Sequence, residues 1–244
     1  EYADLMNEDN VKLVHFIGKD SVYFHLLFWP AMLKTYGINN LDEVFVHGFL
    51  TIEGSKMSKS KGNFILADKA LTFAHPDYYR YYLCSKLNTD ISDIDFSVND
   101  FVQKINSDLI GKFINIGSRT QNFLVKLNSS KIASGNISKS LEFKKNYEEI
   151  ISLIDRKEYS KALKNIMNIA DKINAYVSTE EPWNKAKNGE ENECIAICSE
   201  ALNVFKDLTI LLQSFIPSIA DKIFSLLNVS DLNYDDLSSD NLKE

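Results

Sequence analysis

Three lysines alternate with serines in the segment GSKMSKSKGN, residues 54–63, and a glycine lies near each end. Lys56, Lys59 and Lys61 can supply mobile positive charges, while the serine hydroxyls and glycine-exposed amides supply further hydrogen-bond donors. This combination suits a cluster of phosphate oxygens. The spacing differs from that of a P-loop, because the pattern Gly-x4-Gly-Lys-Ser/Thr is absent. The alternative interpretation is a solvated basic turn, which is the commoner role of a lysine-rich loop.

A second set of candidate residues lies upstream, around a predicted helix. His25 and Trp29 are four residues apart, so their side chains can face one cavity. A lone histidine among aromatic residues is more often a core residue whose hydrogen bonds are satisfied. Asp20, two residues after Gly18, precedes the helix, where an aspartate can also serve as the N-cap.

A third set lies in the second half of the chain. Asn115 and Arg119 are spaced i, i+4, and we expect them on the wet face of a helix, where such a pair is usually solvated surface. However, the chain has only three arginines against 24 lysines, and arginine can make a planar bidentate contact with a base that lysine cannot. Trp183 follows Pro182, where the alternative role is a core residue at the end of a bundle. The expected wet stripe also includes Asp108, Lys112 and Asn122, opposite an apolar stripe of Val102, Ile105, Leu109 and Ile116.

The first hundred residues alternate strand and helix signals. A strand is predicted over 11–18, a helix over 21–37 and a second strand over 43–52. Such a β-α-β unit builds a parallel sheet, whose ligands bind at the carboxyl ends of the strands. Because Lys19 follows the first strand and the lysine-rich loop follows the second, both candidate sites should lie at the same edge.

Helical periodicity replaces the strand signal from about Asn99 onward. Two apolar stripes predict amphipathic helices: Leu163, Ile166, Ala170, Ile173 and Val177 in one, and Cys194, Cys198, Ala201, Phe205, Leu208, Leu212 and Phe215 in the other. Breaks at NSSKIASGNIS, EEPW and KNGEEN predict an antiparallel bundle of four or five helices. Cys194 and Cys198 are expected to serve packing alone.

The predicted fold class is therefore α/β plus all-α, the second half of a Rossmann-type domain followed by a helix bundle. We place the boundaries at 1–50 for the Rossmann-type part, 51–98 for the lysine-rich loop and a connecting region, 99–230 for the helical domain and 231–244 for an acidic tail. The stretch SDLNYDDLSSDNLKE at the end is expected to be nearly free of core residues and frayed.

Composition limits the function classes. With 244 residues, 45% of them hydrophobic, the chain can bury a sizeable core. A net charge of −7 argues against general coating of nucleic acid, so any polyanion site must be local. Three cysteines without paired spacing fit a reducing compartment, with the cytosol as the default. No apolar run approaches the roughly 18 residues that a membrane span needs.

Residues 56–60 read KMSKS, the signature of class I aminoacyl-tRNA synthetases. The flanking segments FIGKDSVYFHLLFWPAML, VHGFLTIEGSKMSKSKGN, INIGSR and EEPWNKAK together resemble the methionyl-tRNA synthetase family, from about Val14 to Phe215. That resemblance implies an enzyme that joins methionine to ATP, releases pyrophosphate and passes the methionyl group to the 3′ end of tRNA(Met). Methionine, ATP with Mg²⁺ and tRNA(Met) are the implied partners, and no membrane partner is expected.

The resemblance also implies roles for individual residues. Lys56 and Lys59 would be catalytic, His25 and Trp29 would line the methionine pocket, and Asp20 would hold the adenosine ribose or the substrate amine. Asn115 and Arg119 would read the CAU anticodon, on whose first base Trp183 would stack. The implied ATP-binding residues are Gly18, Asp20, Lys56, Met57, Ser58, Lys59 and Ser60.

The sequence departs from the family pattern at two points. The His-x-Gly-His signature of class I enzymes is absent, and so is the zinc-bearing insertion common to methionyl enzymes. We therefore expect a fragment with an incomplete ATP site, inactive by itself, with structural zinc only in an upstream part and no metal ligands here. The competing interpretation is a non-catalytic tRNA-binding module derived from such an enzyme. A generic scaffold protein remains only if the KMSKS match is chance.

Overall fold

A computed structural model describes residues 11–38, 42–58, 62–133, 136–230, 232–239 and 242. The chain divides into two compact units. Unit 1 comprises residues 1–65 and 87–97, and unit 2 comprises residues 66–86 and 98–244.

Unit 1 contains the predicted β-α-β arrangement. Strand β1, Val14–Gly18, pairs in parallel with β2, Glu43–His47. The connection begins with a 3₁₀ turn at Lys19–Ser21, continues through a π-helical segment at Phe24–Phe28 and ends in helix α1, Trp29–Thr35. The register pairs Gly18 with His47, so the chain leaves both strands at the same edge.

The single strand predicted over 43–52 is wrong in one respect, because the structure divides it after His47. Strand β3, Leu50–Ile52, belongs to a second sheet, where it pairs antiparallel with β4, Ser55–Lys56, and in parallel with β5, Ile94–Phe96. The division occurs at Gly48, where a Cβ atom would lie 2.0 Å from the carbonyl oxygen of Ser92. Only glycine permits this approach of two backbone segments.

A two-residue turn joins β3 to β4. Its residues Glu53 and Gly54 have φ values of 47° and 72°. Two positive φ angles are typical of a type I′ hairpin, whose twist matches that of paired strands. The hairpin thus presents Lys56 on a short, tightly turned element at the start of the lysine-rich loop.

Unit 2 is helical, as the fold-class prediction requires. Its helices are α2, Ala67–Phe73; α3, Pro76–Lys86; α4, Val98–Lys104; α5, Asn115–Leu127; α6, Ser138–Glu142; α7, Lys144–Asp155; α8, Tyr159–Glu180; α9, Pro182–Lys187; α10, Glu191–Leu212; and α11, Pro217–Leu226. A π-helical segment, Ile105–Ile114, makes α4 and α5 continuous. The predicted breaks after α5, α8 and α9 are confirmed.

The predicted apolar stripe of α8 is buried as expected, but the prediction for α10 is too narrow. From Ile197 to Leu212, every residue of α10 is buried, including Lys206 and Asp207. A helix that is buried on all sides lies at the centre of a domain rather than on its surface. The burial of the face opposite the stripe depends on neighbours that the periodicity does not reveal.

The expectation of a nearly core-free tail is wrong for the residues described there. Leu232, Tyr234 and Leu237 pack against a cluster formed by Ile210, Ala220 and Phe224. The ammonium group of Lys206 donates to the carbonyl oxygen of Ser239 at 2.6 Å. The tail is therefore held by both apolar contacts and a buried charge.

The helices of the described residues include none that is both long and apolar enough to cross a membrane.

Candidate functional site

Two lysines from different parts of unit 1 meet at Phe49. The ammonium nitrogen of Lys56 lies 4.4 Å from the centre of the Phe49 ring, and that of Lys19 lies 4.8 Å from the same centre. Contacts of this kind are attractive because the ring face carries partial negative charge. The expectation that the end of β1 and the lysine-rich loop lie at one edge is thus met by Lys19 and Lys56.

Asp93 fixes one side of this arrangement. Its Oδ1 atom accepts hydrogen bonds from the ammonium of Lys19 at 2.7 Å and from the backbone N–H of Phe49 at 2.8 Å. These two hydrogen bonds hold the pKa of the Asp93 carboxyl below its usual value, and the bond from Lys19 has the larger effect. Sequence reasoning missed Asp93 because it lies 74 positions after Lys19, in a segment without a motif.

The start of the lysine-rich loop is closed by Asn63. Its side-chain oxygen accepts a hydrogen bond from the N–H of Ser58 at 2.8 Å, and its Nδ2 donates to the carbonyl of Lys56 at 3.1 Å. These two bonds tie Asn63, at the end of the loop, to Lys56 and Ser58 near its start. Met57 and Ser58 lie within the described part of the loop, whereas Lys59, Ser60 and Lys61 lie outside the described residues.

The predicted pair of His25 and Trp29 forms part of a three-ring cluster. Their ring centres are 5.3 Å apart, and His15 of β1 lies 5.3 Å from His25 and 5.2 Å from Trp29. His25 Nε2 and His15 Nδ1 are 3.2 Å apart, so one of them donates a hydrogen bond to the other. The cluster combines polar ring nitrogens with an aromatic surface. His15 was missed because a histidine within a strand carries no pattern of its own.

Asp20 lies within the turn after β1, beside Gly18. The 3₁₀ turn begins at Lys19 with Gly18 in the N-cap position, and no side chain caps it. The N-cap alternative for Asp20 is therefore wrong. The Oδ1 atom of Asp20 lies 2.7 Å from the position that a Cβ atom on residue 18 would occupy. Because glycine has no Cβ, position 18 leaves the space beside the backbone that the exposed Asp20 carboxylate occupies.

The wet face predicted for Asn115 and Arg119 packs instead against α8. Asn115 donates to the side-chain oxygen of Asn174 at 3.0 Å. The guanidinium of Arg119 donates to the carbonyl of Asn174 at 3.3 Å and to the hydroxyl of Ser178 at 3.0 Å.

Two more residues, one from the predicted wet stripe of Asn115 and Arg119 and one from the apolar stripe opposite it, also differ from expectation. Asp108, predicted to be wet, is buried and accepts a hydrogen bond from Tyr81 at 2.7 Å. Val102, predicted to be on the apolar side, is 49% exposed. The π-helical segment that holds Asp108 shifts residues around the axis relative to a regular α-helix, which displaces a stripe drawn with a period of 3.6.

Arg119 and Trp183 lie together although 64 positions separate them. The guanidinium carbon of Arg119 is 5.4 Å from the centre of the Trp183 ring, and Trp183 remains 37% exposed. Trp183 follows the buried Pro182 at the start of α9, after a residue with φ of 46°. Asn115, Arg119 and Trp183 thus share one partly open surface, to which Asn174 and Ser178 contribute.

Cys194 and Cys198 are fully buried, which confirms the prediction that they serve packing. Burial raises the pKa of both thiols. A raised pKa leaves little thiolate, so neither cysteine is suited to act as a nucleophile.

Two family descriptions match the sequence. Residues 1–121 match the family described as tRNA synthetases class I (M), and residues 131–244 match the anticodon binding domain of methionyl tRNA ligase. The two matches together span almost the whole chain.

Curated relatives agree with these descriptions. A methionine–tRNA ligase from Ralstonia nicotianae is 44% identical over 90% of this chain and 33% of its own length. Another methionine–tRNA ligase, from Azoarcus sp., is 40% identical over 97% of this chain and 34% of its own length. The chain therefore spans about a third of the length of the curated relatives it matches.

A solved structure shows the same fold. The methionyl-tRNA synthetase of Mycobacterium tuberculosis in complex with methionyl-adenylate superimposes with a TM-score of 0.81 and 27% sequence identity. The similarity covers 92% of this chain and 45% of that protein.

Proposed function

Because this chain belongs to the methionyl-tRNA synthetase family, we propose that it forms the part of a methionine–tRNA ligase that carries the KMSKS loop and the anticodon-binding domain. The observation that carries this proposal is the meeting of Lys19 and Lys56 at one edge of unit 1. Cations at the carboxyl ends of parallel strands are placed where phosphates bind in α/β folds.

In the proposed reaction, the carboxylate of methionine attacks the α-phosphorus of ATP. A bond forms between that phosphorus and a carboxylate oxygen, and the bond to the bridging oxygen of the β-phosphate breaks. Negative charge develops on the leaving pyrophosphate, where Lys56 and Lys59 would neutralise it. ATP would bring Mg²⁺ as its counter-ion, since this ion is usually held by substrate phosphates. A hydroxyl of the terminal adenosine of tRNA(Met) would then attack the methionyl carbonyl carbon, forming an ester while the bond to the phosphate breaks, so that AMP and the hydroxyl proton are released.

The methionine side chain would lie against the cluster of His15, His25 and Trp29. Sulfur contacts with aromatic rings are favourable, so rings 5.2 to 5.3 Å apart offer a suitable lining for a thioether. Asp20 would bind the ribose or the substrate amine, and Gly18, which lacks a Cβ and so leaves room for the Asp20 carboxylate, would form part of the ATP site. A related synthetase from M. tuberculosis was solved with methionyl-adenylate, which supports this assignment by similarity.

The helical unit would recognise the CAU anticodon of tRNA(Met). Asn115 and Arg119 would contact base edges, and Trp183 would stack on the first base. The exposure of Trp183 and its proximity to Arg119 support this role, because stacking needs an accessible ring.

The test uses the complete gene product that contains these 244 residues. Wild type should catalyse methionine-dependent exchange of pyrophosphate into ATP. Lys59→Ala should lower that rate by about a hundredfold, with little change in the KM for methionine, because a donor acting on developing charge is lost. Lys69→Ala, which alters an exposed lysine of α2, is the matched control and should exchange normally.

An unchanged exchange rate in Lys59→Ala would remove that residue from the mechanism. If wild type shows no exchange but binds anticodon stem-loops, the non-catalytic tRNA-binding module is the correct interpretation.

A further inference from the structure

We propose that Asp93 is a positioning residue that holds Lys19 beside Phe49, so that Lys19 serves as a further phosphate-binding cation next to the KMSKS loop. This inference rests on the proposed function of the same site. Lys19 belongs to no motif of the loop, and only the fold brings it to Lys56.

The first step in the argument is that Asp93 is itself fixed. The Phe49 carbonyl accepts a hydrogen bond from the N–H of Ile94 at 2.8 Å, while the Phe49 N–H donates to Asp93 Oδ1 at 2.8 Å. Both backbone groups of Phe49 are therefore paired with residues 93 and 94. The backbone contact of Gly48 with Ser92 adds a steric constraint on the same segment. The Asp93 carboxylate is thus held in place by a hydrogen bond to the backbone of Phe49, within a segment whose own backbone position is constrained.

The second step is that Lys19 gains its position from this carboxylate. A lysine side chain has four flexible carbons, and fixing it costs conformational entropy. The ion pair at 2.7 Å and the ring of Phe49 at 4.8 Å together define where the ammonium lies. Much of this ordering cost is therefore met before an anion arrives.

The third step concerns what remains available for a ligand. The side chains of Lys19 and Asp93 are 31% and 42% exposed, so the pair is accessible to solvent. An ammonium group has three donors, of which Asp93 occupies one. Two cations at one ring match a polyphosphate, whose several oxygens can be shared between Lys19 and Lys56.

The repulsion between Asp93 and an incoming phosphate is the term that opposes this arrangement. Because the carboxylate is part-exposed and already paired, solvent and Lys19 both screen its charge. The benefit of a fixed ammonium group exceeds this cost if Lys19 donates a charged hydrogen bond to the phosphate, since such bonds are stronger than those between neutral groups.

The test is a double-mutant cycle of Lys19→Ala and Asp93→Asn in the complete gene product. Asparagine keeps an oxygen that can accept from the Phe49 N–H and removes only the charge. Binding of inorganic tripolyphosphate is measured by titration calorimetry, and the KM values for ATP and methionine are measured by pyrophosphate exchange. Lys19→Ala should weaken tripolyphosphate binding and raise the ATP KM by about tenfold each, with the methionine KM unchanged. Asp93→Asn should have a smaller effect in the same direction and none in the Lys19→Ala background.

The matched control is the exposed ion pair between Lys12, just before β1, and Glu43, the first residue of β2. This pair lies where the two strands begin, whereas Lys19 follows the end of β1. Lys12→Ala, Glu43→Gln and their combination should leave tripolyphosphate binding and the ATP KM as in wild type. The conservative variant Lys19→Arg, which keeps the charge, should retain most of the binding.

The proposal is overturned if Lys19→Ala binds tripolyphosphate as wild type does. It is also overturned if Asp93→Asn is equally harmful in both backgrounds, since Asp93 would then act on the backbone alone, or if it tightens binding. Failure of the proposed function gives a different result. In that case tripolyphosphate binding still depends on Lys19, but no methionine-dependent exchange occurs.

Discussion

At the scale of single residues, the arrangement of Arg119 and Trp183 leads to the most specific prediction. Hydrogen bonds to the carbonyl of Asn174 and the hydroxyl of Ser178 fix the guanidinium of Arg119, 5.4 Å from the Trp183 ring centre. A lysine at this position would keep the charge but lose the planar group and its several donors. The identity of the cation should therefore matter more than its charge.

We expect Arg119→Lys to lose most of the preference for a CAU anticodon stem-loop over a GAU stem-loop. The reason is that base recognition needs the planar fork, whereas a phosphate contact needs only charge. Equilibrium binding to this chain at two salt concentrations measures both the preference and the salt slope. Trp183→Ala should weaken CAU binding by about 1–3 kcal/mol through lost stacking.

Arg156→Lys is the control, because Arg156 is an exposed residue of unit 2 that pairs with Glu158. Its discrimination should equal that of wild type. If Arg119→Lys discriminates equally well, the proposal that Arg119 contacts base edges is wrong.

A second residue-scale prediction concerns the three-ring cluster. His25→Ala removes a ring from contact with both His15 and Trp29, which should raise the KM for methionine and weaken rejection of amino acids of similar size. The KM for tRNA should not move, and steady-state aminoacylation by the complete gene product measures both constants. His75→Ala, in unit 2, is the matched control. Loss of the circular dichroism spectrum in His25→Ala would instead indicate a core role.

At the scale of elements, the short hairpin of β3 and β4 depends on its neighbours for stability. Only two residue pairs join β3 to β4, Thr51 with Lys56 and Ile52 with Ser55. Asp95 adds support from β5, since its Oδ1 accepts from the N–H of Gly54 at 2.8 Å and from the hydroxyl of Thr51 at 2.6 Å. Contacts from a distant segment of unit 1 therefore position the hairpin that carries Lys56.

Gly48→Ala should destabilise this hairpin by about 1–3 kcal/mol or more, since about 1–3 kcal/mol is the usual cost of overpacking. The new methyl group would lie 2.0 Å from the carbonyl oxygen of Ser92, and a backbone atom cannot rotate away. Hydrogen exchange of the Ile94 amide, which donates to Phe49, reports the opening.

Gly37→Asn is the control for this substitution. Gly37 has φ of 70°, which asparagine tolerates, and no atom lies within 4 Å of the position that a Cβ on residue 37 would occupy. In the Gly37→Asn variant, the amides of the β3–β4 hairpin should exchange as they do in wild type. Equal protection in Gly48→Ala and wild type would show that the contact relaxes freely.

At the scale of the whole molecule, the two units differ in how much core they hold. Among the described hydrophobic residues of unit 1, only Ile17 is buried, whereas helix α10 of unit 2 is buried from Ile197 to Leu212. Within that helix, Lys206 and Asp207 form a fully buried ion pair at 3.3 Å. Lys206 also donates to the carbonyl of Ser239, which ties the tail to the centre of the unit.

Lys206→Met should lower the free energy of unfolding by about 3–5 kcal/mol, because the buried Asp207 carboxylate loses its cationic partner and keeps only neutral ones such as the N–H of Ser238. Urea unfolding of this chain, followed by circular dichroism, measures the change. Lys222→Met, at an exposed position of α11, is the control and should unfold like wild type. Replacing both members, Lys206→Met with Asp207→Leu, should recover much of the loss.

The deficit of Lys206→Met should also shrink as the pH falls. Burial raises the pKa of Asp207 above its usual value, and Lys206 opposes that shift. Without the lysine, the folded-state pKa rises further above the unfolded one, so ionisation destabilises the fold as the pH rises through the folded-state pKa. Unfolding measured at pH 5 and pH 7 tests this, and a deficit that grows at pH 5 contradicts it.

The sequence by itself determined the features that depend on local pattern. The parallel pairing of β1 and β2, the helix breaks and the burial of the α8 stripe follow from periodicity and from turn residues, which act over a few positions. The family assignment also came from contiguous residues, chiefly residues 56–60 and their flanks, and the comparisons confirm it. The role of each site residue stays a prediction.

Only the tertiary structure decided which surfaces are covered and which distant residues meet. It divided the strand at Gly48, buried Lys206 and Asp207, and packed the face of Asn115 and Arg119 against α8. It also brought Asp93 to Lys19. The physical reason is the same in each case: these contacts join segments far apart in the chain, and a pattern with a period of two or 3.6 residues specifies which face is apolar, not which partner covers it.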